Sequence, residues 1–326
     1  MRRKILITGG AGFIGSYLTE KYLAADCEVY IIDDLSTGDI KNIQPLQNKP
    51  EYAGRLHVVI DTIMNYDKML ELIGICDTVF HMAAAVGVKY IIENPLQSIT
   101  TNLRGTEIVL ELCNKFRKKV LIASTSEAYG KQNHAPLCED NDTVFGPSHK
   151  ARWSYAAAKL MDEFNAIAYY RKYGLPVVVV RLFNTVGPRQ TGRYGMVIPN
   201  FVRQALTNEE VTVFGDGTQT RTFTHVGEVC DALIKLIDTP AAYGEVVNVG
   251  GIEEVSMKEL AEAIIRKTSS SSTVKLIPYD QVYTSDFEDM PRRVPCTEKL
   301  KSLIGFAPKQ NLDSILDDII SNFKAD

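Results

Sequence analysis

Thr8-Gly9-Gly10-Ala11-Gly12-Phe13-Ile14-Gly15 decides the fold: Gly9, Gly12 and Gly15, spaced G-x-x-G-x-x-G, stand between a short apolar run and an amphipathic one. The run before it, Lys4–Thr8, reads as a strand, and the run after it, Phe13–Ala25, carries apolar residues at helical spacing. Glycines at such a junction let the backbone turn sharply and bring a helix N-terminus against an anion, where unpaired N–H groups and the helix dipole favour negative charge. Working outward, Glu28–Ile32 reads as a second strand, and the acidic pair Asp33-Asp34 at its end lies 18 residues past Gly15. A carboxylate there accepts hydrogen bonds from the adenosine ribose and repels an added 2′-phosphate. The pattern therefore predicts NAD in preference to NADP, bound by Gly9, Gly12, Phe13, Ile14, Gly15, Asp33 and Asp34. Asp61 closes a third strand candidate, Leu56–Ile60; it either reaches toward the adenine or is a solvated strand cap.

The same alternation continues through about 180 residues, with strands expected at Thr78–His81, Lys119–Ala123 and Pro176–Arg181 and helices at Leu96–Phe116 and Trp153–Tyr173. Repeated βαβ units predict an α/β fold, a Rossmann-type doubly wound parallel sheet. After Asn184 the pattern loosens, with Gly187-Pro188, Gly195, Gly215 and Gly217 as punctuation, and a smaller C-terminal substrate-binding lobe is expected. Glu245–Val249 is apolar enough to return to the main sheet, so the two lobes should interleave. The expected division is residues 1–183 for the NAD-binding domain, with about 225–250 returning to its sheet, and 184–326 mainly for the substrate lobe. Ser269–Ser272 reads as a solvated loop.

Composition narrows the function. The chain has 326 residues, 45% hydrophobic, with a formal net charge of -4, which argues against nucleic-acid binding. The six cysteines are scattered, with no C-x-x-C pair and no histidines at metal-ligand spacing, so free thiols and no metal are expected. Neither a signal-peptide pattern nor an apolar run of membrane-spanning length is present, so a soluble cytoplasmic protein with no membrane partner is the expectation.

Tyr155-Ala156-Ala157-Ala158-Lys159 opens a strong helix pattern, and i, i+4 spacing puts phenol and ammonium on one face. A positive charge beside a phenol lowers its pKa from ~10 toward neutrality and makes it a usable general base. Ser124-Thr125-Ser126-Glu127, at the end of the preceding strand, adds hydroxyls able to bind the same substrate oxygen. The alternative for Tyr155 is an aromatic on a helix surface.

With these residues in view, the chain resembles the extended short-chain dehydrogenases/reductases, the superfamily of NAD-dependent nucleotide-sugar epimerases, dehydratases and decarboxylases. The resemblance covers nearly the whole chain: Thr8–Gly15, Asn102 with Gly105-Thr106, Ser124–Gly130, Tyr155–Lys159, Arg181–Pro188 and Gly215–His225. It implies a catalytic triad of Thr125, Tyr155 and Lys159, cofactor contacts from Asn102, Tyr155 and Lys159, and substrate contacts from Ser126, Asn184 and Arg221. It also implies a homodimer joined through the helices expected at Leu96–Phe116 and Trp153–Tyr173. Within the superfamily, 4,6-dehydratases carry Thr-Asp-Glu after this strand; Ser126 replaces that acid here, which disfavours dehydration.

Ser126-Glu127 instead resembles the UDP-glucuronate decarboxylases, both UDP-xylose synthases and the aminoarabinose-pathway decarboxylase; Gly146–Tyr155 and Phe287–Pro295 resemble the latter, with Arg293 aligned with its catalytic arginine. The resemblance thus implies a UDP-sugar substrate and a 4-keto intermediate, with Glu127 and Arg293 joining the catalytic set unless they form only a supporting salt bridge. The Gly87–Pro95 loop is about one residue longer than in the decarboxylases and places a substrate-facing tyrosine near Tyr90. A UDP-sugar 4-epimerase is the alternative, and a non-catalytic NAD-sensing interaction module stands behind both.

Overall fold

Seven parallel strands form the main sheet in the order β11-β6-β5-β4-β1-β2-β3. They are β1 (Lys4–Thr8), β2 (Glu28–Asp33), β3 (Leu56–Ile60), β4 (Thr78–His81), β5 (Lys119–Thr125), β6 (Val177–Leu182) and β11 (Val246–Val249). The computed structural model describes residues 1–325 except 88–90, 92, 133, 193–195, 283–287 and 289. Strand runs such as Val177-Val178-Val179-Val180 are fully buried because helices cover both faces of the sheet. The two-residue pleat divides them: Ile5, Ile7, Val178 and Val180 pack toward α1 (Phe13–Ala24) and α6 (Val226–Ile237). Leu6, Val177 and Val179 pack toward α2 (Tyr66–Ile75), α3 (Pro95–Phe116) and α4 (Arg152–Tyr173). This is the Rossmann-type doubly wound sheet that the sequence predicts.

Element boundaries fall within two residues of the expected ones; β5 runs on to Thr125 and α4 begins at Arg152. The helix α2 had no sequence assignment. Asn65 caps it by accepting from the Lys68 N–H, and one short turn of Met69, Leu72 and Ile73 supplies its buried face.

Beyond β6 the chain builds smaller pieces. β7 (Thr185–Val186) pairs with β10 (Thr224–His225), and β8 (Val211–Phe214) with β13 (Val274–Ile277). β9 (Thr220–Thr222) lies between β12 (Glu254–Ser256) and β14 (Arg292–Arg293). Their own core gathers Val202 and Phe201 of α5 (Val197–Leu206) with Leu260, Ile264 and Ile319. β11 pairs in parallel with β6, Val247 opposite Val180, so residues after α6 complete the edge of the main sheet. Strand order reverses between β4 and β1, which opens a crevice at the carboxyl ends of the strands, where open α/β sheets bind ligands.

Candidate active site

A cavity of about 960 Å³ runs along that edge, from the glycine turn past Asp33 and Tyr155 to Arg221 and Arg293. At its sheet end Gly9 sits at φ +69°, and a Cβ there would stand 2.9 Å from the Ala83 backbone. A Cβ at Gly15 would run into the Gly9 carbonyl oxygen, so the first turn of α1 can lie this close only without one. The N-cap Gly12 is extended and contributes no side-chain cap, leaving the helix N-terminus beside Phe13 and Ile14 presented to the cavity. Asp33 braces the turn: Oδ2 accepts from the Ala11 N–H and Oδ1 from the Leu35 N–H, each at 2.9 Å. Burial raises its pKa, and those N–H groups offset only part of the rise. Asp34 and Asp61 also line the cavity; Asp34 accepts from Ser36, and Asp61 from Thr62 and Asn65. Asn102 lies behind the wall, buried, exchanging hydrogen bonds with both the N–H and the C=O of Ala85; it shapes the lining segment from beneath.

These turn residues suit a dinucleotide: an uncapped helix start for a pyrophosphate, a close backbone approach, and a carboxylate at the end of β2.

Thr125 ends β5 and Tyr155 faces it from α4, their hydroxyls hydrogen-bonded. Lys159, one turn further, is buried and pairs with Asp162 at 2.9 Å. Here the structure corrects the electrostatic expectation. The phenol of Tyr155 is pushed up, first by burial and then by the negative charges of Glu127 and Asp162, against the opposing influence of Thr125 and Arg152. The i, i+4 geometry holds, but Asp162 claims the lysine.

A charged cluster adjoins Tyr155. Glu127 receives Arg152 Nη1 at 2.5 Å and lies 3.6 Å from Arg293 Nη1. Burial would raise its pKa, yet Arg152 and Arg293, with Arg221 further off, outweigh that and hold the carboxyl below its ordinary value. β14 pairs with β9 so that Arg293 sits directly beside Arg221. Asn184 joins them: its Oδ1 accepts from Arg293 Nη2 at 2.6 Å, and its Nδ2 donates to the Thr222 carbonyl. Ser126 lines the same wall. The segment leading into β14 is fastened to α4 by Glu288, which accepts from Lys150 Nζ at 2.6 Å and Trp153 Nε1 at 2.9 Å and pairs with Lys131 at 2.6 Å. Those hydrogen bonds, Lys131 first, pull its carboxyl down to about 2.

The structure therefore brings Thr125, Tyr155, Glu127, Arg293, Ser126, Asn184 and Arg221 to one cavity. Arg152 was not among the residues selected from sequence; its place three residues before Tyr155, on the same helix face, is the signal that could have found it. Tyr90 lies outside the described residues. No group of three or more metal-binding side chains occurs among the described residues, and no described helix is long and apolar enough to cross a membrane.

The family model for GDP-mannose 4,6 dehydratase matches residues 6–319. A UDP-N-acetyl-alpha-D-glucosaminuronate decarboxylase of Bacillus cytotoxicus is 40% identical over 99% of this chain and 98% of its own. UDP-glucuronic acid decarboxylase 1 of Danio rerio is 33% identical over 99% of this chain and 73% of its own. Among solved structures, the UDP-glucuronic acid 4-epimerase of Bacillus cereus, in complex with UDP-glucuronic acid and NAD, superposes with a TM-score of 0.87 at 28% identity, covering 99% of each chain.

Proposed function

The chain belongs to the GDP-mannose 4,6 dehydratase family of nucleotide-sugar enzymes, and from that premise we propose that it is an NAD-dependent decarboxylase of a UDP-linked uronic acid. The observation that carries the reading is the Glu127 carboxylate held between the Arg152 and Arg293 guanidiniums, in the same cavity as Tyr155 and Thr125. Two relatives named as uronate decarboxylases, matched along almost the whole chain, support it.

NAD, held by the glycine turn, Asp33 and Asp34, supplies a hydride acceptor at C4 of the sugar and returns the hydride at the end of the cycle. Tyr155 takes the proton of the C4 hydroxyl, and Thr125 positions that oxygen through its own hydroxyl. The C4 ketone so formed lies β to the carboxylate on C5. The C5–C6 bond then breaks, its electron pair enters the ketone as an enolate, carbon dioxide leaves, and C5 takes a proton. Arg293 binds the substrate carboxylate, and Glu127, kept ionised by its arginines, orients Arg293 and polarises the sugar. Arg221 and Asn184 hold the diphosphate side of the substrate. Ser126 lacks the acidity that dehydration needs at that position.

The test is to supply UDP-glucuronate and UDP-N-acetylglucosaminuronate separately and measure carbon dioxide and the decarboxylated UDP-sugar. Release from either supports the proposal and names the sugar. A C4 epimer with its carbon skeleton intact, and no carbon dioxide, would replace decarboxylation with 4-epimerisation, the reading favoured by the likeness to the Bacillus cereus enzyme.

The same reading includes a homodimer. Leu96 on α3 and Met161 and Phe164 on α4 are 77%, 54% and 63% exposed, an apolar surface suited to a second copy of these helices. Light scattering at micromolar concentration should return twice the chain mass of 36.3 kDa; a monomer would refute it. A cytoplasmic location is part of the proposal.

A further inference from the structure

Asp162 has no place in the reaction as written, yet it forms a fully enclosed ion pair with Lys159; the two side chains are 1% and 2% exposed. It also ends a polar chain that crosses the sheet. The Thr106 hydroxyl of α3 hydrogen-bonds to Asp162, and His81 Nε2, at the end of β4, lies 3.1 Å from Thr106 Oγ1. His81 Nδ1 lies 2.9 Å from Thr8 Oγ1, which accepts from the Ala83 N–H beside the glycine turn. Four elements thus meet behind Tyr155 in a single hydrogen-bonded row.

We propose that Asp162 is a positioning residue: its carboxylate ties down the Lys159 ammonium and thereby sets the pH at which Tyr155 gives up its proton. The inference rests on Tyr155 as the proton-transfer group of the proposed function. A lysine this deeply buried keeps its charge only beside a counter-ion, which Asp162 supplies at 2.9 Å. The same negative charge opposes formation of a phenolate one turn away, because like charges in a poorly screened interior disfavour one another. Other charged groups meeting this row are accounted for. Tyr155 faces Glu127 from the turn after β5 and Arg152 from its own helix. Glu163, beside Asp162, is paired with Arg181 of β6 at 2.8 Å. His81, kept neutral first by burial and then by the Lys159 charge nearby, adds no charge to the row.

Asp162→Asn keeps the shape and removes the charge that opposes the phenolate, so Tyr155 should ionise at lower pH. The direct measurement is NMR titration of NAD-loaded protein labelled at tyrosine Cζ, with the Tyr155 signal identified by its loss in Tyr155→Phe. The phenolate fraction at a fixed alkaline pH should rise at least about threefold, the effect of half a pH unit. In turnover, the limb of the pH–rate profile set by Tyr155 should shift to lower pH. Asp162→Ser should do the same, and Asp162→Glu should restore the original titration. The titration requires no sugar, so it stands even where the decarboxylase reading fails on product analysis. A Tyr155 titration superimposable on the wild type, with only rate or stability lowered, overturns the proposal. So does failure of both uncharged variants to fold while Asp162→Glu folds, which would make Asp162 purely structural.

Discussion

The two ends of the cavity are built in different materials. The sheet end, from Gly9 to Asp33, is a backbone structure: a turn and a helix start whose shape is enforced by missing Cβ atoms and by one carboxylate holding two N–H groups. The lobe end is a side-chain structure, in which Glu127, Arg152, Asn184, Arg221 and Arg293 arrive from the turn after β5, α4, the link between β6 and β7, β9 and β14 and hold one another by charge and hydrogen bonds. Backbone geometry is specified by neighbours in sequence. Charge geometry is specified by tertiary structure and can be retuned by single substitutions.

Tyr155 stands where the two ends meet, and removing its hydroxyl should give the largest effect. Tyr155→Phe is expected to lower turnover of the UDP-uronate by ~10²–10⁴-fold, the usual cost of losing a general acid/base. NAD affinity, measured by calorimetry, should stay within a few-fold of wild type, because the glycine turn and Asp33 do not touch that hydroxyl. A matching loss of NAD binding would mean that the ends are coupled through Tyr155 and would break the comparison.

The same contrast explains what was legible before the structure. The glycine turn, its strand and its helix could be read because periodicity and spacing are local properties, and β1, β3 and β4 fall on their expected residues. Tyr155 and Lys159 could be read as a pair from their helical spacing. The partner of Lys159 could not, because an acidic residue three positions on reads as an ordinary surface pair until burial is known. Arg152 shares a helix face with Tyr155, which places it near the site, but its partner Glu127, 25 positions earlier, is set by tertiary structure. Glu127 and Arg293, 166 residues apart, were reached only through family resemblance. The Glu288 contact joins two stretches that resemblance singled out, Gly146–Tyr155 and Phe287–Pro295, but that they meet through Glu288 is set by tertiary structure.

Acid should separate the two ends, with the smallest expected effect. On the sheet side, burial, aided by the charge of Lys159, pushes His81 down to about 3 from 6.5. The unfolded chain then binds a proton at this position that the folded chain refuses between those values. The stability contributed by neutral His81 is therefore complete above pH 6.5 and is lost as pH falls toward 3, at a slope of up to about 1.4 kcal/mol per pH unit. On the lobe side, Glu288 has its carboxyl lowered from 4.5 to about 2, so its fastening is fully present above pH 4.5 and fails only as pH falls through 2. Between pH 6.5 and 4.5 the acid sensitivity should come from the sheet end. His81→Gln, which keeps hydrogen-bonding groups toward Thr8 and Thr106 without the titration, should flatten the pH dependence of the denaturation midpoint in that window. Glu288→Gln should leave that window unchanged and alter the dependence only below it. If His81→Gln shows the wild-type slope, the buried row behind Tyr155 does not govern acid stability, and the distinction between a backbone-built and a charge-built end does not extend to how the protein responds to pH.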